Sequence, residues 1–72
     1  MSDLSTEAVD WIAKFAAALG VDTPAVEDIE RILALAGVAA HASHRQAAPV
    51  SAWLAATAGV DPASAIEIAS RV

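Results

Sequence analysis

Seventy-two residues without a cysteine make one small domain, with no disulfide to brace it and no thiolate to bind metal. Twenty residues are alanine, a helix former before it is a core former, so an apolar fraction of 57% overstates what the chain can bury. Nine acidic against four basic side chains, a net charge of −5, exclude a sequence-independent grip on nucleic acid and an anionic membrane surface.

No apolar run reaches the roughly 18 residues of a membrane span, and the N-terminus lacks the basic-then-apolar pattern of a signal peptide. With the missing cysteines, this makes the cytoplasm the expected compartment. The whole chain, residues 1–72, reads as a single helical domain, with residues 1–5 as a flexible lead-in.

Ser5 or Thr6 caps a first helix, and Glu7 and Asp10 suit its positive N-terminal end. Ala8, Ile12, Phe15 and Leu19 recur at helical spacing with Trp11 beside them. Trp11 and Phe15, four apart, are expected to pack inward; a cofactor or peptide groove is the alternative. Gly20 followed by Val21 reads as a Schellman stop.

Asp22-Thr23-Pro24 reads as a helix start, with Asp22 or Thr23 as cap and Pro24 in the first helical position. A stripe through Val26, Ile29, Ile32, Leu33, Ala36 and Ala40 carries this second helix as far as His44 or Arg45. Gly37 inside it suggests close approach of another helix, or a bend.

Pro49 cannot continue that helix and reads as the first residue of a third, whose apolar face is Val50, Trp53, Leu54 and Thr57. Gly59-Val60 stops it and Asp61-Pro62 starts a fourth, with Ile66, Ala69 and Val72 inward. The two stop–start signals, at Gly20 and Gly59, read as reuse of one good device rather than an internal repeat. The expected fold is therefore all-α, a small bundle of about four helices near 6–19, 24–45, 49–58 and 62–71.

Chemistry has few places to sit. Asp10–Lys14, Glu27–Arg31 and Glu67–Arg71 read as surface pairs one turn apart, which leaves Arg45 without a local acid. His41, His44 and Arg45 follow one another at i, i+3 and i+4, a spacing that shares one helical face. Two imidazoles are two ligands short of a zinc site, and no nucleophile or paired carboxylate stands near for acid–base work. Polar capping of a helix C-terminus suffices to explain them. A sharper alternative seats an anion between Arg45 and the N-terminal amides of the third helix, at Val50 and Ser51. There is no phosphate loop, nucleophile elbow, HExxH or Asp-Ser-Leu carrier motif. No catalytic role, metal or cofactor is expected.

The run Ala40-His41 through Arg45 to Ala47-Ala48-Pro49-Val50, then Trp53-Leu54, resembles a small actinobacterial domain of unknown function. The tryptophan-bearing first helix, the Leu-Gly-Val turn and the acidic second helix are also similar, so the resemblance covers roughly residues 9–58. That family occurs alone or appended to a molybdopterin-guanine dinucleotide (molybdenum cofactor) guanylyltransferase. The resemblance implies a non-catalytic accessory module that meets a protein partner, with molybdenum-cofactor machinery as that partner. It points at His41, Arg45, Pro49 and Trp53; His44 joins them by spacing. Val50 in place of leucine, Trp53 in place of phenylalanine and a helix after Asp61 depart from the pattern. The alternative function is a small-molecule domain that holds an anion or nucleotide phosphate at the junction of the second and third helices. So few large side chains for four helices also imply exposed apolar faces around Val50, Trp53 and Leu54, and hence a homodimer; a monomer closed by alanine contacts is the competing expectation.

Overall fold

The computed structural model describes residues 4–72 and holds four helices: α1 (Thr6–Leu19), α2 (Val26–Ala42), α3 (Ala47–Thr57) and α4 (Pro62–Ala69). The protein is all-α, as expected. Part of the expected lead-in, residues 1–3, lies outside the described residues.

Local chemistry sets most of the boundaries. Ser5 accepts the Ala8 N–H on its hydroxyl oxygen at 3.0 Å and caps α1. Gly20 ends that helix at φ 77°, a left-handed conformation that favours a residue without a Cβ. There the Val21 N–H reaches the Ala16 carbonyl at 3.0 Å and the Gly20 N–H reaches Ala17 at 3.1 Å, the paired bonds of a Schellman stop. The same pair recurs after α3, from Val60 to Ala55 and from Gly59 to Ala56, both 3.1 Å. Asp61 then caps α4 through the Ser64 N–H at 3.1 Å, and its other carboxylate oxygen accepts the Ser64 hydroxyl at 2.8 Å. Those two donors favour the ionised carboxylate, the Ser64 hydroxyl most, and hold the Asp61 pKa below its ordinary value.

The second helix is shorter than expected at both ends. Pro24 lies before it rather than in its first turn: Ala25 is extended (φ −63°, ψ 150°) and serves as the N-cap without a side-chain bond. Glu27 and Asp28 in the first turn supply the negative charge that the helix end favours. At the other end α2 stops at Ala42, because Ser43 leaves helical geometry (φ −136°, ψ −90°). His44 and Arg45 thus belong to the connection. Helix α3 begins at Ala47, two residues before Pro49. A proline anywhere in the first turn is tolerated, since those amides have no partner within the helix.

Helix α2 is the hub and runs closely against both α3 and α4; α1 makes no comparably extensive approach to any other helix. The buried core is Ala16, Ile29, Leu35 and Ala65, with Leu35 the most enclosed at 3% exposure. Alanine decides how the helices meet. Helix α3 turns Ala48, Ser51, Ala52 and Ala55 into half-buried positions, a face at i, i+3, i+4 and i+7. Small side chains there bring the α2 and α3 backbones close and leave the bulkier residues of α3 outside.

Several inward assignments change accordingly. Trp11 and Phe15 are surface residues, 63% and 50% exposed, because Ile12 and Ala16 occupy the inner ridge of α1. On α2, Leu33 and Val26 face solvent and Leu35 takes the core position. Val72 is fully exposed, and Ala65 is the buried residue of α4. Gly37 has open space around it: a Cβ built there meets nothing within 4 Å, so it marks no helix contact. The one ion pair among the described residues joins Arg31 to Asp28 at 3.5 Å, in place of the three pairs expected at four-residue spacing. It is half-exposed and, after solvent screening, adds a few tenths of a kcal/mol, roughly 0.2–0.5.

Candidate functional site

The α2–α3 junction holds the residues singled out by the sequence, but it does not assemble them. His41 sits in the last turn of α2, whereas His44 and Arg45 follow the helix end, so the three do not share one helical face. The His44 imidazole accepts the Gln46 N–H on Nδ1 at 3.2 Å. That bond requires Nδ1 without a proton and is a local turn contact within the connection; Gln46 is the N-cap of α3, and the helix has no side-chain cap bond.

The amides expected to cradle an anion, those of Val50 and Ser51, are not at the start of α3, which begins at Ala47. The Ala47 N–H donates to the His44 carbonyl at 2.8 Å and the Ala48 N–H to the Arg45 carbonyl at 3.1 Å, while Pro49 has no N–H. Val50 and Ser51 lie beyond the first three positions of α3 and no longer mark its start. Arg45 is exposed and makes no ion pair among the described residues. No group of three or more His, Cys, Asp or Glu among the described residues is placed to hold a metal.

Trp53 is the candidate that the structure presents most openly. It is 66% exposed on the outer side of α3, with Val50 and Leu54 exposed beside it. A second apolar ridge, expected to pack inward, runs exposed along α1 through Trp11, Phe15 and Leu19. The Trp11 and Phe15 rings stack on each other, centroids 5.1 Å apart and planes 27° from parallel. Their spacing of four was visible in the sequence. Both tryptophans and the single phenylalanine of the chain are therefore on the surface.

Two apolar clefts complete the surface. One, of about 340 Å³, opens among Leu35, Leu54, Ala58, Val60, Ala65 and Ile68. The other, of about 310 Å³, lies between Ile32 of α2 and Ala52 and Ala56 of α3. No histidine, carboxylate or basic side chain lines either; Ser51 is the one polar side chain of the first, and its hydroxyl donates to the Ala48 carbonyl at 2.8 Å. No helix among the described residues is long and apolar enough to cross a membrane.

The family model of a domain of unknown function, DUF6457, matches residues 3–72. The chain belongs to that family. The match runs through α4, so the helix after Asp61 is part of the family domain and not an addition to it. No curated protein and no solved structure matches the chain.

Proposed function

We propose that the protein is a non-catalytic accessory module that docks on a protein of molybdenum-cofactor synthesis or molybdoenzyme maturation. The observation that carries the docking role is the outward placement of the stacked Trp11 and Phe15 rings on α1. Tryptophan and phenylalanine normally dominate cores and are enriched where partners meet. On α1 the stacked Trp11–Phe15 pair and Leu19 form an exposed apolar ridge, a ready-made anchor for a partner. The choice of partner rests on the resemblance of the Ala40–Leu54 segment to domains appended to molybdenum-cofactor guanylyltransferases.

The test is affinity purification of the tagged chain from its native host, in parallel with a Trp11→Ala/Phe15→Ala double variant. Specific recovery of a molybdenum-cofactor or molybdoenzyme protein, lost in the double variant, is the expected result. Absence of every such protein from the specific partners contradicts the assignment.

The anion-binding alternative keeps Arg45, whose guanidinium is unpaired among the described residues, but loses the amides of α3. Thermal shift with pyrophosphate separates the two readings. Stabilisation that disappears in Arg45→Ala favours the anion; no shift at millimolar pyrophosphate leaves the docking module.

A further inference from the structure

We propose that two copies of this chain associate through the outer face of α3, with Trp53, Val50 and Leu54 at the contact. Two observations select this face and this occupant, and a third shows that the chain has surface to cover.

The first is a mismatch between α3 and its surroundings. Its apolar residues are distributed all round the helix, as in helices that are covered on every side. Yet α3 contains no buried residue, and α2 covers only the alanine side. The opposite side, with Trp53 66% exposed, lacks its cover.

The second is charge. Residues 46–60 contain no Asp, Glu, Lys, Arg or His, in a chain whose net charge is −5. A two-fold contact sets one patch against an identical patch, so any charge near the axis meets its own sign. An uncharged patch avoids that repulsion and suits a second copy of an acidic chain. The aromatic ridge of α1 does not qualify: Glu7, Asp10 and Lys14 share that helix, so it suits a partner with charges of its own.

The third is area. The isolated chain exposes 5408 Å². A folded monomer of 7.3 kDa exposes about 4,200 Å², so this chain shows an excess of roughly 1,200 Å². A standard interface removes about 800 Å² from each partner, so the chain as a whole, its α1 ridge included, carries surface enough for one. The 340 Å³ cleft beside Leu54 adds an apolar receptacle next to the contact.

Sedimentation equilibrium on the full chain tests the proposal, with circular dichroism to verify folding. Wild type is expected to pass from one to two chain masses as concentration rises, and to associate more tightly as salt screens the repulsion between two acidic copies. Trp53→Glu places a charge at the axis and is expected to stay helical and monomeric across the same range; Trp11→Glu is expected to dimerise as wild type does. If Trp53→Glu does not fold, Val50→Glu takes its place, at another exposed position of the same face. A single-chain mass for wild type at every concentration overturns the proposal. So does a charge-bearing α3 variant that folds and still dimerises, or dissociation by Trp11→Glu alone. None of these outcomes bears on the molybdenum-cofactor partner, whose anchor is the α1 ridge.

Discussion

Replacing Gly37 by alanine should make the domain more stable. Gly37 lies inside α2 with ordinary helical geometry; only Gly20 and Gly59 have positive φ. A Cβ at position 37 meets no atom within 4 Å, so no packing penalty opposes the change. What remains is helix propensity, in which glycine is worse than alanine by about 0.8–1.0 kcal/mol. Against a total of roughly 3–5 kcal/mol for a domain of this size, that gain is large. At about 4–8 °C per kcal/mol, Tm should rise by about 3–8 °C in a far-ultraviolet circular dichroism melt. The chain concentration must be held fixed, because association raises the apparent Tm by mass action. The internal control is Gly20→Ala or Gly59→Ala. Space around them is equally open, but φ values of 77° and 73° penalise any L side chain, so both should destabilise. A Gly37→Ala protein with unchanged or lower Tm refutes the reasoning, since some group must then fill that space in solution.

Other perturbations probe the core and a helix start. Leu35 is the most enclosed side chain, at 3% exposure, and Leu35→Ala should cost about 2–5 kcal/mol, enough to leave much of the chain unfolded by circular dichroism at room temperature. Asp61→Ala removes the cap of α4 and should lower Tm at neutral pH. Because the folded-state pKa of Asp61 lies below its ordinary value of 3.8, its stabilisation is present above that value and is lost as pH falls through the lower folded value. Acid melts of wild type and Asp61→Ala should therefore converge below pH 3.8, and a difference that persists undiminished there contradicts the capping role.

The parts of the fold that were legible in the sequence are those set by short-range chemistry. The turn at Gly20-Val21 and the stop–start at Gly59-Val60-Asp61-Pro62 need only the backbone preferences of glycine and proline and a carboxylate beside free amides. Where such preferences compete, sequence reading loses resolution. Asp22, Thr23 and Pro24 offer a good helix start, yet the chain stays extended through Ala25. The His44 imidazole takes the Gln46 amide, and the continuous helical face of His41, His44 and Arg45 disappears with the helix that would have carried it.

Burial was the least legible property, because so many residues are small. On α1 the residue that reaches the core is Ala16, and on α4 it is Ala65; neither stands out beside Phe15 or Ile66 in a hydropathy pattern. Alanine faces permit the close approach of α2 and α3, and that approach exiles Trp53, Leu54 and Val50 to the surface. The exposure expected around those three residues is found; the exposure of Trp11 and Phe15 is not derivable from periodicity, which gives their spacing but not which side the bundle lies on. The radius of gyration, 12.3 Å against about 11 Å for a compact chain of this length, fits a domain with α1 loosely attached and α3 half-covered.

Outward-facing aromatic side chains are the basis of both proposed interactions, and acrylamide quenching of tryptophan fluorescence tests them most directly. Trp11→Phe reports on Trp53 alone, and Trp53→Phe reports on Trp11 alone. At the lowest usable concentration both proteins should be quenched nearly as readily as free tryptophan. As concentration rises, the Trp53 signal should become protected while the Trp11 signal stays open. Blue-shifted, quencher-resistant emission from both residues in the dilute chain would contradict this structure, because it would place the two rings in the core.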